Sequence, residues 1–108
     1  MSGTLGELEQ LVLLALARLG EHAYGVSVRE ELARRARREL SLGTIYTTLG
    51  RLEAKRLIAS HLGDPTPERG GRRKKFYRLL PAGHRALLAS LHAIERMAAG
   101  LHPLLERS

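Results

Sequence analysis

Apolar residues recur at helical spacing through the first half of this chain, give way to two short strand-like runs in the middle, and return to helical spacing at the end. A first helix is predicted from Thr4, which stands three residues before Glu7 in the spacing of a capping box, to a stop at Gly20. Its stripe is Leu8, Leu11, Val12, Ala15, Leu16 and Leu19. Because Leu13, Leu14 and Ala17 are apolar as well, this helix is greasy nearly all round and requires cover on more than one side. A second helix is predicted from Tyr24 or Gly25 to Glu39, with Val28, Leu32 and Ala36 facing inward. Its outer face interleaves Arg29, Arg34, Arg35, Arg37 and Arg38 with Glu30 and Glu31, and reads as a partly self-neutralised, solvated surface. Ser41 is a strong N-cap for a third helix that runs to Lys55 with Ile45, Leu49 and Leu52 as its buried stripe.

The middle of the chain predicts a long β-hairpin. Residues 57–62 and 74–79 read as its strands, and residues 63–73 as a connection that two prolines and three glycines keep out of regular structure. Pro81 then sits at the N1 position of a fourth helix predicted to reach about His102, just before Pro103. Leu87, Leu91, Ile94, Ala98, Leu101 and Leu105 follow one another at alternating steps of four and three, which is a heptad seam. The first 80 residues leave no spare helix to cover it. Self-association through the first and fourth helices is therefore expected, with Leu8 and Leu11 joining the seam residues at a homodimer interface. The predicted fold class is mainly α with a small β-hairpin. It divides into a winged helix-turn-helix over residues 1–80 and a C-terminal dimerisation helix over residues 81–108.

Composition narrows the function. The chain has 108 residues, 44% of them hydrophobic, enough for one core without staples. It has no cysteine, so disulfides, thiolate nucleophiles and zinc fingers are out. The start lacks a basic signal-peptide region, and Arg18 interrupts the first apolar run, so neither a signal peptide nor a membrane span is expected and the cytoplasm is the simplest location. No enzyme signature is present: the five histidines make no i, i+4 pair, there is no nucleophile elbow, and Gly70-Gly71-Arg72 lacks the ending of a phosphate loop. No metal or other cofactor is expected.

The net charge is +7, and its location matters more than its size. Residues 51–78 hold nine basic residues against three acidic ones, while residues 1–50 balance at six of each. The excess thus lies at the exit of the third helix and on the hairpin, the electrostatic footprint of a polyanion site. On the third helix the outward arc holds Gly43, Thr44, Thr47, Gly50, Arg51 and Ala54, small or hydrogen-bonding residues with one arginine. An interior glycine costs a helix roughly 1 kcal/mol relative to alanine, so this face is built for close approach rather than for helix stability. In a winged helix-turn-helix, the third helix enters the DNA major groove and the hairpin lies on the backbone or in the minor groove. Thr44 and Thr47 would then meet base edges, and Arg51 would meet a guanine or a phosphate. Arg69, Arg72, Arg73, Lys74 and Lys75 would supply phosphate contacts.

The same residues carry a specific resemblance. The runs Leu5-Gly6-Glu7-Leu8-Glu9, Leu13-Leu14-Ala15-Leu16, Ala23-Tyr24-Gly25-Val26, Ser41 to Leu49, Arg51-Leu52-Glu53 and Pro65 to Arg72 resemble, in order and spacing, the PadR family of bacterial transcriptional regulators. The likeness covers residues 4 to about 88. It implies a homodimeric winged-helix repressor of double-stranded DNA, a C-terminal helix exchanged across the two-fold, and release by a small effector, phenolic acids for some members and hydrophobic drugs for others. It adds Ser41 and Tyr46 to the expected recognition-helix contacts and places Tyr24 near a phosphate. Arg56 stands where the family usually has a helix-ending glycine, so the exit must avoid the left-handed conformation or bear a cost of roughly 1 kcal/mol. Leu80 replaces the usual threonine cap before Pro81. Drug-sensing members stack flat ligands between aromatic side chains at the dimer interface; with Tyr24, Tyr46, Tyr77 and one Phe as its only aromatics, this chain is not expected to hold such a site, and the effector's identity and existence stay open. The alternative from another class is a protein-interaction module that recruits a partner helix through the C-terminal seam, its basic hairpin being non-specific.

Overall fold

The first three helices each start at a local hydrogen bond between a side chain and the backbone. The computed structural model describes residues 5–64 and 73–107. Helix α1 spans Glu7–Leu19, with extended Gly6 as its N-cap, and the Glu9 carboxylate accepts from the Gly6 N–H at 2.9 Å. The expected Thr4–Glu7 box is therefore displaced to Gly6–Glu9; Thr4 itself lies outside the described residues. Gly20, at φ 57°, ends the helix, and a single 3₁₀ turn, Gly20–His22, leads onward. Helix α2 spans Gly25–Arg35, and Ser27 Oγ accepts from the Tyr24 N–H at 2.9 Å while donating to the His22 carbonyl at 2.7 Å. It ends about a turn before the predicted Glu39. Ala36 caps it and Arg37 turns the chain away at φ 56°, while Leu40, the next apolar position, packs on the core from the following segment.

Helix α3, Leu42–Ala54, begins as expected: Ser41 Oγ accepts from the Thr44 N–H at 3.1 Å. Its exit takes the left-handed option. Arg56 has φ 60°, the Leu57 N–H donates to the Leu52 carbonyl at 3.0 Å, and the Arg56 N–H donates to that of Glu53 at 2.9 Å. This is a Schellman motif with an arginine at the position glycine favours. Strands β1, Ile58–Leu62, and β2, Lys75–Leu79, pair antiparallel from Ile58↔Leu79 to Leu62↔Lys75. A third rung, invisible to periodicity, comes from the residues before α2. Tyr24 bridges Phe76, and the Tyr77 N–H donates to the Ala23 carbonyl at 2.9 Å.

The core lies where α1, α2 and α3 meet the hairpin: Val12, Leu13, Val28, Ile45, Leu49, Leu52 and Ile58 are fully buried, with Leu16, Leu32, Tyr77 and Leu87 beside them. Full burial of such side chains contributes roughly 1.5–3 kcal/mol each. Helix α4, Pro81–Ala98, starts with Pro81 at N1 and an extended Leu80 that caps without its side chain. Leu87 is buried and Leu91 packs on the core. Gln10 Nε2 on α1 donates to Ser90 Oγ at 2.7 Å.

The fourth helix does not run to His102, and the heptad seam is broken. Ala99 leaves the helix at φ −55° and ψ 125°, Gly100 adopts φ 79°, and a separate short helix, α5, spans His102–Glu106. In a continuous helix the Pro103 ring would clash with the Ala99 carbonyl, whereas in the first turn of a new helix it is at home. Leu87, Leu91, Ile94 and Ala98 thus share α4, Leu101 lies in the turn, and Leu105 belongs to α5.

Candidate nucleic-acid interface

The capped start of α3 and the apolar stripe that anchors it decide which side chains face out. Ile45, Thr48, Leu49 and Leu52 are buried, so Gly43, Thr44, Thr47, Gly50, Arg51 and Ala54 are exposed, as the helical arc predicts, and Ser41 and Tyr46, which the resemblance added, are exposed as well. Thr48 is the one threonine turned inward, and its Oγ1 donates to the Thr44 carbonyl at 2.9 Å. Nothing in the fold requires glycine on the outer face. A Cβ at Gly50 would meet nothing within 4 Å, and one at Gly43 would meet only Ser41 Oγ at 3.8 Å. Gly25 is different, because a Cβ there would lie 2.3 Å from the Tyr46 hydroxyl; the Tyr46 ring thus packs over the start of α2 while remaining 45% exposed.

Not all of the central positive charge is available. Lys55 donates to both Glu9 oxygens at 3.0 and 2.8 Å and ties the exit of α3 to the start of α1. Burial pushes the Glu9 carboxyl up, but the bonds from Lys55 and the Gly6 N–H, with the charges of Lys55 and Arg51, outweigh it and hold the group below its ordinary 4.5. Lys75 Nζ lies 4.0 Å from Glu53 and 5.7 Å over the Tyr77 ring; burial, helped by Glu53 and Tyr46, pushes the Tyr77 phenol above 10.0. Lys74 Nζ sits 4.5 Å over the half-buried Tyr24 ring, which meets Phe76 edge-on with centroids 5.6 Å apart, and His61 stacks on Phe76. Tyr24 therefore packs against the loop end of the two-stranded ladder. Arg51, Arg56, Arg73 and Arg78 are exposed and make no ion pair among the described residues. Arg69 and Arg72 lie outside the described residues.

The outer face of α2 is less free than its sequence suggests. Glu31 is buried and accepts from both Arg34 and Arg35, and Arg38 reaches Glu7 on α1. Beside Glu31 opens a groove of about 290 Å³ floored by Leu11, Leu14, Ala15, Leu32 and Ala36, a feature that required the crossing of α1 and α2 to be seen. Among the expected interface residues, Leu87 is buried in its own core, while Leu8, Leu11 and Leu91 are half-buried and pack on it. Ala98 is half-buried, and Ile94, Leu101 and Leu105 are exposed, as is Met97 at 79%. No cluster of three metal-ligating side chains occurs among the described residues.

The model of the PadR-like family of transcriptional regulators matches residues 12–89, from the middle of α1 through the hairpin and into α4. The chain belongs to this family. It is 39% identical over 75 residues to the transcriptional regulator Rv3488 of Mycobacterium tuberculosis, a match that covers 69% of this chain and 65% of that protein. The matched segment thus spans just under two thirds of that relative's length. Among solved structures, a PadR family transcription regulator from Clostridium difficile R20291 superposes with TM-score 0.75 at 25% identity, covering 93% of this chain and 99% of that one. A PadR family transcriptional regulator from Eggerthella lenta DSM 2243 gives TM-score 0.69 at 31% identity, covering 94% and 88%. PadR-like proteins of known structure thus share the whole path from α1 to α4, and the family and the curated relative are regulators of transcription rather than enzymes. No helix among the described residues is long and apolar enough to cross a membrane.

Proposed function

We propose that this PadR-like protein is a homodimeric, sequence-specific repressor that binds double-stranded DNA in the cytoplasm. The observation that carries this reading is the outer face of α3, where two glycines without a packing role lie among Ser41, Thr44, Tyr46, Thr47 and Arg51. Helix stability disfavours glycine there, and close approach to a groove rewards it. Residues 1–80 bind DNA, with α3 in the major groove and Tyr24, Arg69, Arg72, Arg73, Lys74 and Lys75 toward the backbone. Residues 81–108 join two protomers, a role supported by the exposed apolar side chains Ile94 and Met97 on α4 and Leu101 in the turn after it. Two-fold symmetry then matches a pseudo-palindromic operator with half-sites about 10 base pairs apart.

Selection of bound fragments from a random-sequence library by the purified protein tests the reading. Enrichment of an inverted repeat is expected, and failure to enrich any sequence defeats it. A small effector that releases DNA completes the family pattern; it would bind by something other than stacking on Phe, Tyr or Trp, since neither α1 nor α4 carries one. The second reading, a module that recruits a foreign helix, draws on the same exposed side chains. Light scattering separates the two, since a stable dimer supports the repressor and a monomer supports the module.

A further inference from the structure

We propose that Glu53 is the positioning residue that fixes the wing hairpin to the recognition helix, so that the two meet DNA as one unit; this rests on the DNA-binding reading above. Glu53 is in an unfavourable place for a carboxylate. It sits in the last turn of α3, at the negative end of the helix dipole, on a surface where approaching phosphates would repel it. Its two oxygens explain why it is there. Oε2 accepts from Ser60 Oγ on β1 at 2.6 Å, and Oε1 lies 4.0 Å from Lys75 Nζ on β2. One side chain of α3 therefore bonds to β1 and stands beside the cation that opens β2. The Ser60 bond is charge-assisted and short, which makes it directional rather than a loose surface contact.

The surroundings make this joint consequential. Among the described residues, the other side-chain hydrogen bonds of α3 stay at its own start, Ser41 with Thr44 and Thr48 with Thr44, so no other side-chain hydrogen bond of the helix reaches the hairpin. Ser60 is paired with Tyr77, whose buried ring lies beneath Lys75 and whose N–H reaches Ala23, so a restraint applied at Ser60 passes into the sheet that carries Lys74 and Lys75. A hairpin held in place before binding loses less freedom on contact, and its cations arrive at a set distance from Arg51.

The test compares Glu53→Ala, Ser60→Ala and Glu53→Gln with the parent in titrations of a duplex the parent has selected and a random-sequence duplex of equal length. Amide hydrogen exchange of the free proteins is measured alongside. Glu53→Ala and Ser60→Ala are expected to weaken the selected duplex by about 5-fold without weakening the random one. They should also speed exchange in the hairpin relative to α1. Glu53→Gln keeps an oxygen for Ser60 and should recover most of the lost affinity. Equal gains on both duplexes in the Ala and Gln variants would show a mere counter-charge and overturn the proposal. So would equal losses on both, accompanied by faster exchange throughout the chain. A parent that enriches no duplex overturns the DNA-binding reading and this proposal with it, whereas enrichment together with an unaffected Glu53→Ala variant overturns this proposal alone.

Discussion

Gly50 separates what the fold needs from what the interface needs. Its Cα faces open space, so Gly50→Ala should raise stability by roughly 1 kcal/mol, because alanine is the better helix former and meets no neighbour. The same methyl should weaken binding to a selected duplex; thermal melting and a titration, read together, check the opposed signs. If affinity rises with stability, the glycine is not there for DNA. Arg56 makes the reverse case. It holds φ 60° in the Schellman turn that ends α3, where a non-glycine residue is strained, so Arg56→Gly should stabilise by about 1 kcal/mol in chemical denaturation. The family's usual glycine at this point was the sequence signal; only the backbone angle shows which of the two exits was taken.

At the scale of elements, α4 docks through a glycine that does have a packing role. A Cβ on Gly83 would come within 2.0 Å of the Leu57 carbonyl oxygen, so Gly83→Ala should push α4 off the start of β1 and destabilise the protein by about 1–3 kcal/mol. A melting curve unchanged by that substitution would contradict the packing. The tie between α1 and α3 gives a pH dependence. Glu9 has a lower pKa folded than unfolded, so its contribution is present above the ordinary 4.5 and is lost as pH falls through the lower folded value. Stability followed below pH 5 should therefore decline more steeply in the parent than in Glu9→Gln. The break between α4 and α5 belongs to this scale too: Pro103 marked a stop near His102 in the sequence, but the chain leaves the helix earlier, at Ala99 and Gly100, where the heptad spacing ran on.

For the whole molecule, the relevant quantity is the charge left to meet a polyanion. Arg73 is exposed and makes no ion pair among the described residues, so Arg73→Ala should lower the slope of log affinity against log salt by about 0.9 for one lost phosphate contact. Lys55→Ala should hardly change the slope and should cost stability instead, because its partner is Glu9. From the sequence alone, the order of three helices, hairpin and helix was legible, along with the Ser41 cap, the Gly20 stop, Pro81 at N1 and the outward arc of α3. These depend on contacts within about four residues and on the helical period, which a linear chain displays directly. Only the tertiary structure decided that Lys55 reaches Glu9 across 46 positions, that Ala23 and Tyr24 add a rung to the hairpin, and that Glu53 bonds to Ser60 on β1 with Lys75 of β2 close by. Those pairings depend on how helices cross and on which face each strand presents, distances that no local pattern encodes.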